Sequence, residues 1–270
     1  MATQKVVLIT GASNGMGLEA AKVFAEKGWE VVAGARRVEL IPASAHIMAL
    51  KLDVTDSQSN ADFVSAASDK FGRIDVLINN AGYGEYGPTE EISTDNAKYQ
   101  FAVNYFGAVE LTNLVLPLMR MQKFGRIVNI SSVGGDVFMP LGAHYHATKA
   151  ALQQWSDVLD MEVEPFGIRS VVVQPAGTKS AWRDVAFENA AKNVKENSPY
   201  APLIAKLLAG FERFSGGATS EDLAKVFYKA ATDEKPKMRY FNAFQDRVMT
   251  RIARVHPKLW RKFVKSQLMK

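Results

Sequence analysis

The 270-residue chain contains no cysteine. A disulfide framework, a cysteine-ligated zinc site and thiol catalysis are therefore excluded, and the composition is compatible with a reducing cytoplasm. Histidine is scarce as well, with four residues. His144 and His146 lie close together in sequence, but no carboxylate cluster accompanies them, so we expect no metal site. For His144 we expect a surface or loop position, with contact to a substrate as the alternative.

Long apolar runs are also missing. No uninterrupted stretch approaches the roughly 20 residues that span a bilayer. Residues 1–5 lead directly into the apolar residues 6–9, without the charged region, long apolar region and cleavage site of a secretory signal. With 47% apolar residues and no internal repeat, we expect one soluble, cytoplasmic domain over residues 1–270.

The formal net charge of +5 is unevenly distributed. Residues 246–270 contain eight basic residues and one acidic residue, so this tail carries +7 and the rest of the chain −2. Pro257 predicts two short helices there. An apolar stripe lies beside a basic one: Val248, Ile252, Val255, Leu259 and Phe263, with Arg247, Arg251, Arg254 and Lys258. We expect docking on the body or a sister subunit first, an anionic membrane surface second, and no nucleic-acid partner.

Short β-branched runs alternate with segments of helical periodicity. Predicted strands are residues 6–10, 30–35, 47–54, 74–79, 126–131 and 168–174, with a seventh at 238–243. Predicted helices include residues 57–71, 96–121, 145–165 and 220–232. This order predicts an α/β fold, a single-domain Rossmann-type doubly wound parallel sheet of about seven strands with helices on both faces. Residues 4–180 would form the core, and the mostly helical residues 181–217 a substrate lid.

A glycine-rich turn connects the first strand to the first helix. Its spacing, G-x-x-x-G-x-G, lets the backbone approach a pyrophosphate at a helix N-terminus. An ordinary strand-to-helix loop is the alternative, but the position after an apolar strand favours nucleotide binding. The candidate residues are Thr10, Gly11, Ser13, Asn14, Gly15, Met16 and Gly17.

Tyr145 and Lys149 are four residues apart, which places them on one face of a helix. A lysine ammonium beside a phenol stabilises the phenolate and lowers a pKa that is ordinarily about 10. Such a phenol can act as a general acid or base near neutral pH. The Y-x-x-x-K pattern alone is also common on solvated helix faces, so the accompanying motifs decide whether the pair is catalytic.

Further motifs accompany this pair in a fixed order. Ser132 follows a predicted strand thirteen residues before Tyr145, the Asn79-Asn80-Ala81-Gly82 run ends another strand, and Asn104 lies inside the next helix. With the glycine-rich turn, Asp53 and Pro175, these motifs make residues 4–180 resemble the classical short-chain dehydrogenase/reductase family.

The resemblance implies an oxidoreductase that transfers hydride between a nicotinamide and a carbonyl or secondary alcohol. Tyr145 would protonate the carbonyl oxygen in reduction, or take the hydroxyl proton in oxidation. Lys149 would bind the nicotinamide ribose and lower the pKa of Tyr145, and Ser132 would hydrogen-bond the substrate oxygen. Asn104 would hold a water that connects Lys149 to solvent, at a helix irregularity; a hydrogen bond to the helix backbone is the alternative.

The resemblance also implies cofactor contacts. Asp53 and Val54 would face the adenine, and Asn80, Ala81 and Gly82 would pass close to the cofactor, although Asn79 and Asn80 could equally brace neighbouring strands. Pro175, Gly177 and Thr178 would lie at the nicotinamide. The family pattern P-G-x-x-x-T is altered here, with glycine displaced by one position, so either Thr178 or Ser180 would supply the hydroxyl.

The end of the second strand indicates which nicotinamide is used. An acid commonly holds the ribose of NAD there, but this chain has Ala35 followed by Arg36. Arginine suits a phosphate, so the resemblance implies NADP(H). Asn14 departs from this pattern, since many NADP-preferring relatives have a basic residue at this position, directly before the glycine that corresponds to Gly15. The alternative is that Arg36 is a solvated loop residue.

Aromatic and apolar residues in the lid predict a lipophilic ketone or alcohol as substrate, although they could equally pack the lid on the body. The resemblance implies a homo-oligomer formed through the helices at 96–121 and 145–165. Two other functions stay open: an NAD-dependent alcohol dehydrogenase of the same family, and a non-catalytic cofactor-binding regulator or membrane-associated scaffold.

Overall fold

A computed structural model describes residues 4–178, 181–214 and 217–268. Its strands form one parallel sheet in the order β3-β2-β1-β4-β5-β6-β7. They are β1 (Val6–Thr10), β2 (Glu30–Ala35), β3 (Ile47–Lys51), β4 (Val76–Asn79), β5 (Gly125–Ile130), β6 (Ile168–Val173) and β7 (Arg239–Tyr240). The strand order reverses between β1 and β4, where open α/β sheets bind ligands beyond the carboxyl ends. The predicted fold class is confirmed.

Helices cover both faces of the sheet. They are α1 (Gly15–Glu26), α2 (Ser57–Phe71), α3 (Thr94–Phe101), α4 (Gly107–Gln122), α5 (Ala143–Val163), α6 (Ala181–Lys192), α7 (Ala201–Phe214), α8 (Ser220–Thr232), α9 (Phe244–Val255) and α10 (Pro257–Leu268). Because successive strand residues point to opposite faces, Val7 and Ile9 pack with α1 and α8, whereas Val6 and Leu8 pack with α2, α4 and α5.

Four predicted strands are longer than the observed ones, and the strands predicted at 74–79 and 168–174 differ by only two residues and one residue. We predicted the third strand to residue 54, but it ends at Lys51, so Asp53 and Val54 lie in the following loop. β3 is the edge strand beside β2, and the Leu52 amide donates the last ladder hydrogen bond to Ala35 O, where β2 itself ends. The seventh strand is likewise reduced to Arg239–Tyr240.

The long helix predicted at 96–121 is interrupted by one π-helical turn, Ala102–Phe106, between α3 and α4. The irregularity implied at Asn104 is therefore present. By length and composition alone, the continuous helix Thr94–Gln122 could cross a membrane. One face of its α4 part is buried in the domain, with Leu111, Val115 and Met119 fully enclosed, as in the core helices of globular proteins.

The tail forms two helices, divided at Pro257 as predicted, that dock on the body. Trp260 Nε1 donates a 2.8 Å hydrogen bond to Phe138 O, and Ala253, Trp260 and Val264 are buried. The predicted apolar stripe is not the docking face, however. Its five residues are exposed on the outside of α9 and α10: Val248, Ile252, Val255, Leu259 and Phe263. The expectation of docking holds, but through a different helix face.

Candidate active site

The glycine-rich turn follows β1 and brings the backbone very close to the end of β4. Gly11 has a φ of 67°, in the left-handed region that favours glycine, and a Cβ there would lie 3.0 Å from Ala81 Cα. A Cβ on Gly17 would lie 2.5 Å from both Asn80 Nδ2 and Gly11 O. The turn therefore accepts no side chain at these positions, and it opens directly into the N-terminus of α1.

Hydrogen bonds fix residues 79–82 against the turn. Thr10 Oγ1 accepts from the amides of Asn80 and Ala81 at 3.0 and 2.9 Å, and Asn80 Nδ2 donates to Thr10 O at 2.9 Å. Asn79 Nδ2 donates to Asn129 Oδ1 at 2.9 Å. Both asparagine side chains brace neighbouring strands, which was one of the two interpretations from the sequence. Asn14 begins α1 and accepts from the Gly15 amide, with Ser13 and Met16 in the same turn.

Asp53 and Arg36 lie near each other beyond the ends of β3 and β2. Burial raises the pKa of Asp53, but hydrogen bonds from Thr55 and the charge of Arg36 outweigh it, so the pKa is lowered overall. The Arg36 side chain is exposed and donates to Tyr99 Oη at 3.3 Å. Val54 is buried, and its carbonyl is so close to Gly107 that a Cβ there would lie 2.7 Å away. A cation and an anion thus border this edge of the site.

Tyr145 and Lys149 are both buried on the first turns of α5. Lys149 Nζ donates to Ile130 O at 2.9 Å and lies 6.0 Å from the centre of the Tyr145 ring. The end of β5 therefore anchors the ammonium next to the phenol. Gly82 lies against the same ammonium: a Cβ on it would be 3.4 Å from Lys149 Nζ and 3.2 Å from Asn104 Oδ1.

The pKa values differ from the prediction. Burial raises the pKa of Tyr145 to about 12, although the hydrogen bond with Ser132 lowers it. Burial lowers the pKa of Lys149 to about 8. We predicted that Lys149 depresses the pKa of Tyr145; for the protein alone this is wrong, because desolvation of the phenol outweighs the stabilisation of the phenolate.

Ser132 follows β5 and faces Tyr145. Its hydroxyl accepts from the Gly134 amide at 3.0 Å and donates to Pro175 O at 3.3 Å, which fixes the side chain between two loops. Gln153 Nε2 donates to Ser132 O at 2.9 Å and holds the backbone from α5. The Ser132 hydroxyl can therefore hydrogen-bond to the same ligand oxygen as the Tyr145 hydroxyl.

Asn104 is buried at the π-helical turn. Its Oδ1 accepts from the Tyr83 amide at 3.0 Å, and its Nδ2 donates to Tyr83 O at 3.0 Å and Thr148 Oγ1 at 3.1 Å. Thr148 Oγ1 in turn donates to Tyr145 O at 2.8 Å. The side chain thus bonds to a neighbouring loop and to α5, and not to its own helix backbone as the alternative proposed.

The loop after β6 closes the site from another side. Pro175 O accepts from the Val133 amide at 3.0 Å as well as from Ser132. After Gly177, Thr178 Oγ1 donates to Ala176 O at 2.9 Å, and Thr178 forms an isolated bridge with Ala218. Thr178 therefore lies near the site, while Ser180, the alternative hydroxyl, falls outside the described residues.

Aromatic rings surround the Tyr145 phenol. Tyr86 and Trp182 belong to the aromatic residues that the sequence predicts near the substrate, whereas the position of His146 was not predicted. The ring centres of Tyr86 and Trp182 lie 5.6 and 5.0 Å from that of Tyr145, and His146 lies at 5.7 Å. His146 Nδ1 is 2.8 Å from Gly134 O, and burial lowers the pKa of this imidazole. For His146 the sequence signal is the glycines at 134 and 142, where a Cβ would meet the imidazole at 2.9 and 2.8 Å.

A glycine cradle at a helix N-terminus, together with a buried tyrosine and lysine and a half-buried serine at the carboxyl ends of the strands, defines a dinucleotide-dependent oxidoreductase. The short chain dehydrogenase family model matches residues 5–191. The chain belongs to the short-chain dehydrogenase/reductase family.

Similar proteins support this family assignment. VdlC of Helicobacter pylori, which carries the name of a probable short-chain type dehydrogenase/reductase, is 32% identical over 94% of both chains. The 3-ketodihydrosphingosine reductase of Bacteroides thetaiotaomicron is 33% identical over 87% of this chain and 86% of its own. A short-chain dehydrogenase structure from Streptomyces avermitilis has a TM-score of 0.81 and 30% identity, covering 97% of this chain and 98% of its own.

Two further structures with this fold contain different nicotinamides. A Burkholderia phymatum family member was solved with NAD (TM-score 0.79, 24% identity, covering 95% of both chains). A Burkholderia cenocepacia short chain dehydrogenase was solved with NADP (TM-score 0.76, 21% identity, covering 98% of this chain and 99% of its own). Proteins with this fold thus bind either nicotinamide.

Proposed function

We propose that the protein is an NADP(H)-dependent carbonyl reductase that acts on a lipophilic ketone or the corresponding alcohol. The observation that carries this proposal is the buried Tyr145 phenol, next to Ser132 and one helical turn from Lys149. These groups meet at the carboxyl edge of the sheet, beside a backbone cradle from which side chains are excluded at Gly11 and Gly17.

The residues present fit a dinucleotide. The turn at residues 10–17 would hold the pyrophosphate through its amides and the N-terminus of α1. Asp53 and Val54 would contact the adenine, and Lys149 the nicotinamide ribose. Residues 80–82 and the loop at 175–178 would line the remaining length. When bound, NADP(H) supplies the hydride that reduces the carbonyl carbon.

The chain's own residues handle the oxygen and its proton. Ser132 Oγ would donate a hydrogen bond to the carbonyl oxygen and stabilise the negative charge that develops there. Tyr145 would transfer its phenolic proton to that oxygen, which leaves a phenolate near the Lys149 ammonium. Since its pKa is about 12, Tyr145 keeps its proton at neutral pH, which suits the acid of a reduction. Asn104 holds the Tyr83 loop and Thr148 in position.

Replacing Tyr145 by Phe tests the activity. Loss of the general acid should reduce turnover of a ketone by about 100- to 10,000-fold, while NADPH binding, followed by fluorescence titration, should be largely kept. Tyr228→Phe is the matched control, because it removes the same hydroxyl from a ring that packs on Phe24 of α1, in the other core of the domain. Turnover by Tyr145→Phe at the wild-type rate would exclude this mechanism and favour a non-catalytic role.

Arg36 supports the choice of NADP(H). An acidic residue in place of Ala35 would repel a 2′-phosphate, and the exposed Arg36 guanidinium follows directly. Arg36→Ala should weaken NADPH binding by about 10- to 100-fold and leave NADH binding nearly unchanged. Arg37→Ala, the exposed neighbour, is the matched control. Equal loss for both nucleotides, or tighter binding of NADH by the wild type, would favour the NAD-dependent alcohol dehydrogenase instead.

The aromatic surroundings of Tyr145 support a lipophilic substrate. Tyr86 and Trp182 pack on the phenol, and apolar residues of α7 such as Ile204 and Leu207 belong to the same buried cluster. The B. thetaiotaomicron relative is, by name, a reductase of 3-ketodihydrosphingosine. A panel of ketones of increasing chain length, with NADPH oxidation as the readout, should show rising kcat/KM with apolar size. Preference for short polar ketones would contradict the proposal.

Exposed apolar side chains on the long helices support a homo-oligomer. Met121 of α4 and Met161 of α5 are 75% and 68% exposed; Leu114 and Val158 are exposed on the same helices, and Phe106 is exposed on the π-helical turn before α4. Burial of such a face favours association of identical copies. Light scattering should give a mass of at least two chains, and Met121→Glu with Met161→Glu should reduce it to one.

The cytoplasmic location stays a prediction from the absence of cysteine.

A further inference from the structure

The outside of the tail presents a continuous apolar surface, which we call the outer tail face. It consists of Phe244, Val248, Ile252, Val255, Leu259 and Phe263. The first and fourth of these, Phe244 and Val255, are 77% and 60% exposed. Val248, Ile252 and Val255 have helical spacing and share one face of α9. Val255 and Leu259 line the same surface hollow at the turn, so the apolar surface continues from α9 onto α10.

Docking of the tail on the body does not use this surface. The buried residues of α9 and α10 are Thr250, Ala253, Trp260 and Val264, on the other sides of the two helices. The Trp260 indole N–H, the one donor of that side chain, also bonds to Phe138 O. The fold therefore accounts for the inner side of the tail and leaves the outer tail face available. A contiguous exposed apolar patch of this kind marks an interaction site.

Basic residues border the outer tail face. Arg247 and Arg251 lie on α9, and Lys258, Lys262 and Lys265 on α10, all exposed. None of them makes an ion pair with another residue in the part of the chain that the structure describes. Since the tail carries +7 and the rest of the chain −2, the positive potential is local to these two helices. The partner of this face must offer both an apolar medium and spread negative charge.

We propose that the outer tail face binds the surface of an anionic lipid bilayer, with the apolar side chains inserted and the basic side chains at the headgroups. The outer tail face of a second copy would bring the same positive charge and repel this face. Nucleic acid would engage the basic residues but leave the row of apolar residues unexplained. An anionic bilayer supplies both, because its headgroups carry negative charge and its interior is apolar.

Vesicle binding by the full chain tests the proposal independently of the enzymatic activity. The wild type should co-sediment with vesicles of phosphatidylcholine and phosphatidylserine, bind far less to phosphatidylcholine alone, and be released by high salt. The charge variant, Arg247→Gln with Arg251→Gln and Lys258→Gln, should bind about 100-fold more weakly, since each cation contributes about 1 kcal/mol at such a surface.

A second variant tests the apolar part, and a third is the matched control. Val255→Ser with Leu259→Ser should weaken binding by about 10-fold or more, because two exposed side chains no longer insert. The control removes the same charge elsewhere, with Lys27→Gln, Lys51→Gln and Lys235→Gln, and should bind like the wild type. All the altered residues are exposed, so melting temperatures should be unchanged, which shows that each variant is folded.

Several outcomes would overturn the proposal. One is no binding of the wild type to the phosphatidylserine vesicles. Another is equal loss of binding in the charge variant and its matched control, which would reflect net charge alone. A third is a drop in molar mass of the Val255→Ser and Leu259→Ser variant without lipid, which would assign the face to a second copy. Binding to duplex DNA that equals lipid binding and survives the serine changes would assign it to nucleic acid.

Discussion

Replacing Lys149 by Met should stabilise the folded protein while it removes a group proposed to act in catalysis. Burial lowers the pKa of Lys149 from 10.5 to about 8, and each pKa unit corresponds to about 1.4 kcal/mol. Holding the ammonium in the fold therefore costs about 3 kcal/mol at neutral pH. The variant loses the hydrogen bond to Ile130 O, a loss of about 1 kcal/mol. The net gain is about 2 kcal/mol, or about 5 °C in Tm for a chain of this size.

The gain in stability of Lys149→Met over the wild type should decrease as pH rises. The unfolded chain keeps the Lys149 proton up to about pH 10.5, whereas the folded chain releases it near pH 8. Between these values the unfolded state binds more protons, so the stability of the wild type rises with pH. The difference between Lys149→Met and the wild type should be complete below pH 8 and shrink towards pH 10.5.

Thermal melts without nucleotide, over a series of pH values, measure this difference directly. Lys27→Met, which removes an exposed ammonium, is the matched control and should leave Tm within about 1 °C, since surface changes cost little. A lower Tm for Lys149→Met at pH 7, or a difference that does not vary with pH, would refute the assignment of a buried, desolvated ammonium.

Two further predictions concern the same site. The rate of ketone reduction should fall as pH rises through about 8, because Lys149 then loses the charge that stabilises the new phenolate. The Lys149→Arg variant should not show this fall in its pH–rate profile. A wild-type rate that stays constant up to pH 10 would contradict the prediction. Gly17→Ala should lower stability by about 1–3 kcal/mol in thermal melts, because its Cβ would lie 2.5 Å from Asn80 Nδ2. Gly217→Ala, with open space around it, should be neutral; equal melting temperatures for the two variants would exclude the proposed close approach.

Much of the fold is predictable because parallel strands buried on both faces carry continuous apolar runs. β1 and β2 have the predicted bounds, as do α2 and α8. The capping residues are local signals too, such as Asp56 before α2 and the Thr219–Asp222 capping box at α8. The convergence of Ser132, Tyr145 and Lys149 follows from the topology, since the carboxyl ends of the strands meet at one edge.

Other features depend on contacts that no local pattern encodes. The end of β3 is set by the end of β2, its neighbour in the sheet, and not by the apolar character of residues 52 and 54. Helical spacing in the tail identifies a stripe, but the side that docks is chosen by the fit of Trp260 and Val264 on the body. The pKa of Tyr145 depends on how deeply it is buried, and the lid residue Trp182 packs on its ring.

The π-helical turn at Ala102–Phe106 fixes how the two halves of one helix are turned relative to each other. A π turn inserts one residue, and one residue corresponds to about 100° of rotation about the helix axis. The α3 half can therefore turn Gln100 towards the Tyr83 loop while the α4 half turns Leu111 towards the sheet. Deleting a single residue here would restore a regular helix and force one half out of phase. The length of this segment is thus as much a determinant of the site as the identity of Asn104.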